Sequence, residues 1–181
     1  MDRAAVRAVA LRVAALALLL LLALVAALTT RTLQRLPDAT IYLVRYDDRS
    51  GFELEPVARR LGTDDAEGYA RAAVDALADG PTDAEAARGL ATAVPEDTRV
   101  LSATARDGTL RVDLSLEVAS GGGTASMRGR LEQLRWTLTR PSSIEAVELL
   151  MDGEPLRVLG GEGLMVEPSW RRPDDEQRPS W

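Results

Sequence analysis

Apolar and polar positions follow two different periods along the chain, and each period predicts one kind of element. Thr40–Tyr46 is rich in β-branched and aromatic residues, which predicts a strand. Phe52–Arg60 can return beside it as a hairpin, but Pro56 has no backbone N–H to donate and restricts this second strand to a sheet edge. The pattern therefore predicts that the folded part of the chain begins with a β-hairpin.

Two further hairpins are predicted from turn sequences. Asp107-Gly108 favours a two-residue type I′ turn, and it separates the strands Arg99–Arg106 and Thr109–Leu116. The second of these strands alternates, and its apolar face is formed by Leu110, Val112, Leu114 and Leu116. Ile144–Met151 and Pro155–Leu159 are predicted to form the other hairpin, around an Asp-Gly-Glu turn.

A helical period follows the first hairpin. Asp64 can cap a helix, with Glu67 three residues later as in a capping box. The apolar face of this helix would carry Tyr69, Ala73, Ala76 and Leu77. Gly80 and the proline after it end the helix, and a short second helix is predicted over Asp83–Leu90. That short helix would bury Ala87 and Leu90.

A third helix is predicted over Thr124–Thr139, and its apolar stripe consists of Met127, Leu131, Leu134 and Leu138. The order of elements predicts an α+β fold, in which one mostly antiparallel sheet has helices packed on one face. We expect a single small domain over residues 40–159, joined through a linker at 31–39 to the N-terminal segment. The proline-rich, charged residues 160–181 are expected to be largely disordered.

The N-terminal residues 1–30 have the pattern of a membrane-targeting segment. Three arginines precede the uncharged run Val13–Leu28, which is long for a signal peptide and approaches the length of a bilayer span. We therefore expect a retained transmembrane helix with the domain on the extracytoplasmic side of the cell membrane. The alternative is a cleaved signal peptide, with Val25-Ala26-Ala27 as the cleavage site, which would make the protein secreted.

Composition excludes most catalytic chemistry. The 181 residues contain no histidine, no cysteine and no lysine. The chain therefore offers no imidazole base, no thiolate nucleophile and no His or Cys ligand for a metal. A net charge of −6 without a basic stripe also argues against a nucleic-acid partner. We expect a protein that is not an enzyme and that holds no metal and no cofactor.

Several short motifs occur along the chain in a characteristic order. They are Ala76-Leu77-Ala78-Asp79-Gly80-Pro81, Val94-Pro95-Glu96-Asp97-Thr98-Arg99-Val100-Leu101, Asp107-Gly108, Val112-Asp113-Leu114-Ser115, Gly121-Gly122-Gly123-Thr124-Ala125-Ser126, Leu134, Thr137-Leu138-Thr139 and Val147-Glu148-Leu149-Leu150-Met151-Asp152-Gly153-Glu154-Pro155. In this order and spacing the chain strongly resembles the GerMN domain, the sporulation and spore germination module. The resemblance covers about Thr40–Leu159.

The resemblance implies an extracytoplasmic module, tethered to the membrane, without established catalytic activity. It is similar to the ring-building motifs of sporulation channels, which implies protein–protein assembly. We therefore expect a non-enzymatic, membrane-anchored protein that acts in binding or assembly at the bacterial cell envelope, with itself or other envelope proteins as partners. The alternative is a secreted protein that binds a small ligand or cell-wall glycan, and a carboxylate-based glycosidase ranks third.

The glycine run before the third helix is the first candidate site. Free backbone N–H groups of Gly121, Gly122, Gly123 and Thr124 at a helix N-terminus could bind an anion or a carboxylate. The structural interpretation is a flexible connection in which Thr124 caps the helix. No lysine follows the glycines, so the run is not a phosphate loop.

Asp113 and the tryptophans complete the candidate residues. Asp113 lies on the strand face opposite the apolar stripe, where it could act with a second aspartate or bind Ca²⁺, or could simply bond the backbone. Trp136 lies off the apolar stripe and is expected either at the edge of the core or as an exposed anchor for a partner. Trp170 and Trp181 are expected to dock back on the domain or to contact a partner or the membrane surface.

Overall fold

The computed structural model describes residues 16, 18–26, 38–47, 51–161 and 163–172. The chain divides into two compact units, Met1–Leu36 and Pro37–Trp181. In the first unit, residues 16 and 18–26 are helical and exposed. Over the described ranges, no helix reaches the length and apolar character needed to cross a membrane. Most of the predicted anchor, 1–30, and of the linker, 31–39, lies outside the described residues.

The second unit contains strands and helices in an α+β arrangement, as predicted. The helices are α1 (Ala66–Asp79), α2 (Asp83–Ala86) and α3 (Thr124–Leu138), with a 3₁₀ helix at Leu116–Ala119. The strands are β1 (Ala39–Asp47), β2 (Gly51–Arg59), β3 (Leu90–Ala91), β4 (Val100–Arg106), β5 (Thr109–Leu114), β6 (Ala146–Met151), β7 (Glu154–Pro155), β8 (Val158–Leu159), β9 (Leu164–Met165) and β10 (Trp170–Arg171).

The strands form three sheets rather than the single sheet expected. One has the order β2-β1-β3, the second has the order β10-β6-β5-β4 with β7 added beside β6, and the third is the ribbon β8-β9. Pairing is antiparallel except between β5 and β6, which are parallel. The mostly antiparallel character is therefore confirmed. The parallel pair arises because α3 connects these two strands, and such a crossover returns the chain in the same direction.

Local turn chemistry predicted the hairpins well. β1 and β2 pair along their whole length, and β2 lies at a sheet edge, as Pro56 required. Asp107 and Gly108 both have positive φ, 49° and 76°, as a type I′ turn demands. Asp152 and Gly153 have φ of 51° and 85° and make the same kind of turn between β6 and β7.

The long helices enclose a common apolar core. Helix α1 buries Tyr69, Ala70, Ala73, Val74, Leu77 and Ala78. Helix α3 buries its predicted stripe of Met127, Leu131, Leu134 and Leu138. Both helices contribute to one cluster together with apolar residues of β1, β5 and β6. The core therefore joins the two larger sheets, which replaces the expected picture of helices on one face of a single sheet.

The capping prediction for α1 was wrong by one residue. Asp65, not Asp64, is the N-cap, and its side chain accepts the backbone N–H of Gly68 at 2.6 Å. Glu67 does not complete a capping box but accepts the N–H of Ala105 at 3.0 Å. This bond occupies an outward-facing group of the edge strand β4, which shields part of that edge from pairing.

The predicted short helix over Asp83–Leu90 was too long. Helix α2 ends at Ala86, Ala87 is exposed, and Leu90 is buried as part of β3 beside β1. Two features of this segment explain the difference. Gly89 has φ of 83°, which ends helical geometry, and Leu90 gains a strand partner that only the tertiary fold supplies.

Two other strand ends differ from the prediction. Leu116 was expected on the apolar stripe of β5, but it begins the 3₁₀ helix and is 57% exposed. The predicted strand Pro155–Leu159 is divided, since β7 pairs with β6 while β8 pairs with β9. In both places the chain leaves the sheet before the apolar pattern ends.

The C-terminal residues were wrongly expected to be largely disordered from residue 160. Residues 163–172 are part of the fold, and β10 pairs with β6 through Trp170 and Val147. Trp170 is 5% exposed and belongs to the main core cluster. An apolar anchor of this size overcomes the polar, proline-containing composition around it. Residues 173–181 lie outside the described residues.

Candidate functional site

Helix α3 carries polar side chains on a face that is buried. Arg130, Gln133 and Thr137 follow at intervals of three and four residues and are at most 2% exposed. Arg130 donates from Nε to the carbonyl of Ala93 at 2.7 Å and from Nη2 to that of Gly121 at 3.3 Å. It also donates from Nη1 to the carbonyl of Val118. Burial lowers the pKa of the Arg130 guanidinium, because desolvation penalises its charged form. The dipoles of the three carbonyl groups offset this penalty.

Gln133 and Thr137 complete the pairing of β1. Tyr42 lies opposite Pro56, so its backbone groups point away from β2. Its N–H donates to Thr137 Oγ1 at 3.1 Å, and its carbonyl accepts from Gln133 Nε2 at 2.9 Å. Helix α3 therefore satisfies with side chains the part of the β1 edge that the short strand β3 does not reach.

Backbone conformation and packing account for two glycines of the run, Gly121 and Gly122. Gly121 is held through its carbonyl by Arg130, and Gly122 has φ of 82°. A Cβ at Gly122 would lie 2.6 Å from the Oγ of Ser126, closer than real Cβ atoms approach. Gly123, not Thr124, is the N-cap of α3, and Thr124 is the first helical residue. These observations favour the structural interpretation, and an anion site on the glycine run stays an untested prediction.

Asp113 also has a structural partner. Its Oδ1 accepts the backbone N–H of Gly153 at 2.9 Å, which ties β5 to the turn between β6 and β7. This is the backbone-bonding role that the sequence left open for it. Among the described residues, no group of three or more acidic side chains could hold a metal ion.

The structure decides between the alternatives for two of the three candidate tryptophans. Trp136 is 1% exposed and packs with Tyr42, their ring centroids 5.3 Å apart, in a second core cluster. It is therefore not the exposed anchor considered as one alternative. Trp170 docks on the domain, as one of its alternatives predicted. Trp181 lies outside the described residues, and its role stays a prediction.

A charged groove lies between α3 and the segment 164–170. It encloses about 390 Å³, within the range of small-molecule sites, roughly 300–1,000 Å³. Its apolar lining includes Leu131, Val166 and Trp170, and its charged lining consists of Arg128, Glu132, Arg135 and Glu167. No sequence pattern indicated this groove, because about half of its wall comes from the segment 164–170, which was expected to be disordered.

The charges in this groove are incompletely paired. Arg135 Nη1 lies 3.9 Å from Glu132 Oε1, too long for a hydrogen bond. The Nε atom of Arg135 is buried without a hydrogen-bond partner among the described residues. Burial raises the pKa of Glu132 and the negative charge of Glu167 adds to this effect, while Arg135 and a hydrogen bond from Trp136 oppose it. This region therefore holds desolvated charge with unused hydrogen-bonding capacity.

A second cavity, of about 540 Å³, is bordered by Asp38, Tyr69 and Arg140. Its polar groups are occupied within the protein. Tyr69 donates to the carbonyl of Thr137 at 2.9 Å, and burial raises the pKa of its hydroxyl. The carboxylate of Asp38 accepts the N–H groups of Leu61 and Gly62 at 2.7 and 2.9 Å, and these bonds lower its pKa. The charged groove is therefore the better candidate for a ligand.

Comparison with known proteins agrees with the fold. The family model described as Sporulation and spore germination matches residues 40–157, well over half of the chain. The chain belongs to this sporulation and spore germination family. The resemblance to GerMN domains that the sequence motifs indicated is thereby confirmed. No curated protein matches the chain.

Two solved structures that share the fold contain GerMN domains. The first GerMN domain of the sporulation protein GerM from Bacillus subtilis shares 23% identity at a TM-score of 0.60, covering 75% of this chain and 98% of that one. The tandem GerMN domains of the same protein share 24% identity at a TM-score of 0.56, covering 75% of this chain but only 44% of theirs. This chain thus spans less than half of the tandem structure.

A third structure extends the likeness beyond GerM. A Clostridium perfringens protein described as a lipoprotein shares 23% identity at a TM-score of 0.52, covering 77% of this chain and 88% of that one. At this identity the likeness concerns the fold alone. The likeness to the Clostridium perfringens protein therefore does not depend on a second GerMN domain such as the tandem structure contains.

The sequence contained a signal for the missed residues of α3. Arg130 and Gln133 stand between apolar stripe positions, at spacings that place them on the flank of the buried face. A charged residue in such a position indicates a buried polar contact or an exposed edge, and sequence alone does not separate the two.

Proposed function

We propose that this protein is a non-catalytic binding or assembly module of the bacterial cell envelope, held outside the cytoplasm by an N-terminal membrane anchor. The observation that carries the proposal is the family match over residues 40–157. The family comprises sporulation and germination proteins, and the related Clostridium perfringens protein is described as a lipoprotein. This chain has no cysteine to carry a lipid, and the uncharged run Val13–Leu28 supports a helical anchor instead.

Two features support a role without catalysis. The chain lacks histidine, cysteine and lysine, so its serines have none of these side chains beside them as a base. In addition, the buried polar residues Arg130, Gln133 and Thr137 form hydrogen bonds with the backbone of other elements. These bonds give the three side chains a structural role.

Anchoring would make a weak interface sufficient for assembly. A bilayer confines anchored copies to two dimensions and raises their effective concentration. A contact too weak to form in solution can then hold a complex at the membrane, with a second copy or with another envelope protein.

The absence of cysteine makes this testable by site-specific crosslinking. Single cysteines at Leu101→Cys, on the edge strand β4, and at Met165→Cys would report on surfaces that are 49% and 75% exposed. We expect a bismaleimide to crosslink full-length protein in liposomes, to itself or to a co-purifying partner. The soluble unit Pro37–Trp181 should crosslink far less at equal bulk concentration. Leu134→Cys, at 0% exposure, is the unreactive control.

A truncation after Arg172 tests whether Trp181 contributes to contacts. It must not begin earlier, because Trp170 belongs to the core. Failure of both exposed cysteines to crosslink in liposomes, without a co-purifying partner and with measurable cleavage of cell-wall glycan, would replace the proposal with an enzymatic function.

A further inference from the structure

The charged groove beside α3 has a composition that specifies a ligand class. Two guanidinium groups, of Arg128 and Arg135, and two carboxylates, of Glu132 and Glu167, surround an apolar wall that includes Trp170. A ligand with one kind of charge would face a like charge at one pair of these residues. A ligand that carries both signs can pair with all four.

The helix sets the arrangement of these groups. Arg128, Glu132 and Arg135 are spaced four and three residues apart, so they lie along one face of α3. The side chains of Glu132 and Arg135 are 24% and 32% exposed, so both charges are partly desolvated at the groove.

Hydrogen-bonding capacity remains open on both kinds of charge. The 3.9 Å separation of Arg135 from Glu132 leaves both short of a hydrogen bond to each other. The buried Nε of Arg135 has no hydrogen-bond partner in the described part of the chain. Arg128 is in none of the ion pairs found there. A buried donor without a partner is unfavourable in the folded protein, and a ligand oxygen that accepts from it would remove that penalty.

We propose that this groove binds a short zwitterionic peptide, with its carboxylate at Arg135 and Arg128, its ammonium at Glu132 and Glu167, and an apolar side chain against Leu131, Val166 and Trp170. The volume of about 390 Å³ suits a ligand of dipeptide size. Occupancy of the groove is independent of the proposed assembly, because a monomer contains all of these residues.

The experiment is a calorimetric titration of the full-length protein in detergent micelles with the dipeptide Ala-Leu. Its N-acetylated form lacks the ammonium, and its C-amidated form lacks the carboxylate. We expect Ala-Leu to bind and each capped form to bind roughly tenfold more weakly, since a charge-assisted hydrogen bond contributes about 1.5 kcal/mol or more.

Variants identify which end of the ligand each residue recognises. Glu132→Gln should reduce the penalty for N-acetylation and keep the penalty for C-amidation, and Arg135→Gln should do the reverse. Arg111→Gln, on the exposed face of β5, is the matched control and should change neither penalty. Circular dichroism melts of the same samples establish that each variant is folded.

Three outcomes would overturn the proposal. They are equal binding of free and capped dipeptides, absence of binding up to millimolar concentration, and self-association of the wild type that Arg135→Gln abolishes. The last outcome would make the groove a contact between copies. A failure to crosslink in liposomes concerns only the assembly proposal and leaves this titration unaffected.

Discussion

The glycine-run loop and the charged groove each contain an arginine of helix α3, and the hydrogen bonding of these two arginines is opposite. At the loop, Arg130 is 2% exposed and donates to the carbonyls of Ala93, Val118 and Gly121. At the groove, Arg135 has its Nε buried without a hydrogen bond and its nearest carboxylate 3.9 Å away.

This difference separates architecture from binding capacity. A buried guanidinium whose three nitrogens each donate a hydrogen bond stabilises the elements that it joins, so its removal should affect folding. A charge with unused donors costs free energy in the folded protein and is available to something else. The sequence indicated the glycine run as a candidate site, but the unused hydrogen-bond donor lies in the groove.

The largest expected effect comes from removing the loop arginine. Arg130→Met keeps much of the volume but leaves three carbonyls without a donor, so we expect a loss of about 3 kcal/mol or more in the free energy of unfolding. Arg135→Met is the matched control and should change the stability by less than about 1 kcal/mol. Urea unfolding of the Pro37–Trp181 unit, followed by circular dichroism, measures both. Equal losses would erase the distinction between the two regions.

Two glycines of the run should also differ in how much stability is lost when each is replaced by alanine. Gly122→Ala combines a positive φ with a Cβ 2.6 Å from Ser126 Oγ, and we expect it to cost about 2 kcal/mol. Gly123→Ala has open space around its Cβ and a φ of −95°, so it should lose only the N-cap preference, about 0.5–1 kcal/mol. Thermal melts compare them. A harmless Gly122→Ala would show that the loop is not packed as described.

The acid limb of the stability curve tests a charge that is fully paired. Hydrogen bonds from Arg59, at 2.6 and 2.7 Å, lower the pKa of Glu85 from 4.5 to about 2. Because the folded pKa is the lower one, Glu85 stabilises the protein above pH 4.5, and this contribution is lost as the pH falls towards 2.

Glu85→Gln should therefore cost about 1–2 kcal/mol at pH 7 and flatten the pH dependence between 4.5 and 2. Melting temperatures recorded from pH 2 to 7 give both quantities. An acid limb as steep in the variant as in the wild type would show that other carboxylates dominate it.

The smallest effect has the opposite sign and belongs to the groove. Burial raises the pKa of Glu132 above 4.5, so its ionisation destabilises the folded state as the pH rises through that value. Glu132→Gln should then raise the melting temperature slightly at pH 7 and leave it unchanged at pH 3. Glutamine has nearly the same shape as glutamate and carries no charge, which makes it a matched replacement. A lower melting temperature at pH 7 would show that Glu132 is already well paired.

The sequence by itself determined the elements whose cause is local. Asp107-Gly108 fixed a turn because its two positive φ angles suit those residues, and Met127, Leu131, Leu134 and Leu138 fixed the buried face of α3 through their spacing. The ordered motifs also identified the family. Even local signals failed where partners intervened, as at Leu90, which joined β3 rather than a helix.

The tertiary structure alone decided how these elements combine and where the groove lies. Gln133 reaches Tyr42 across 91 positions, and β6 pairs in parallel with β5 only after α3 has crossed between them. Because Trp170 docks in the core, the polar, proline-containing segment around it forms one wall of the groove. Such contacts depend on which surfaces are buried together, and burial is a property of the packed chain that no local pattern of residues contains.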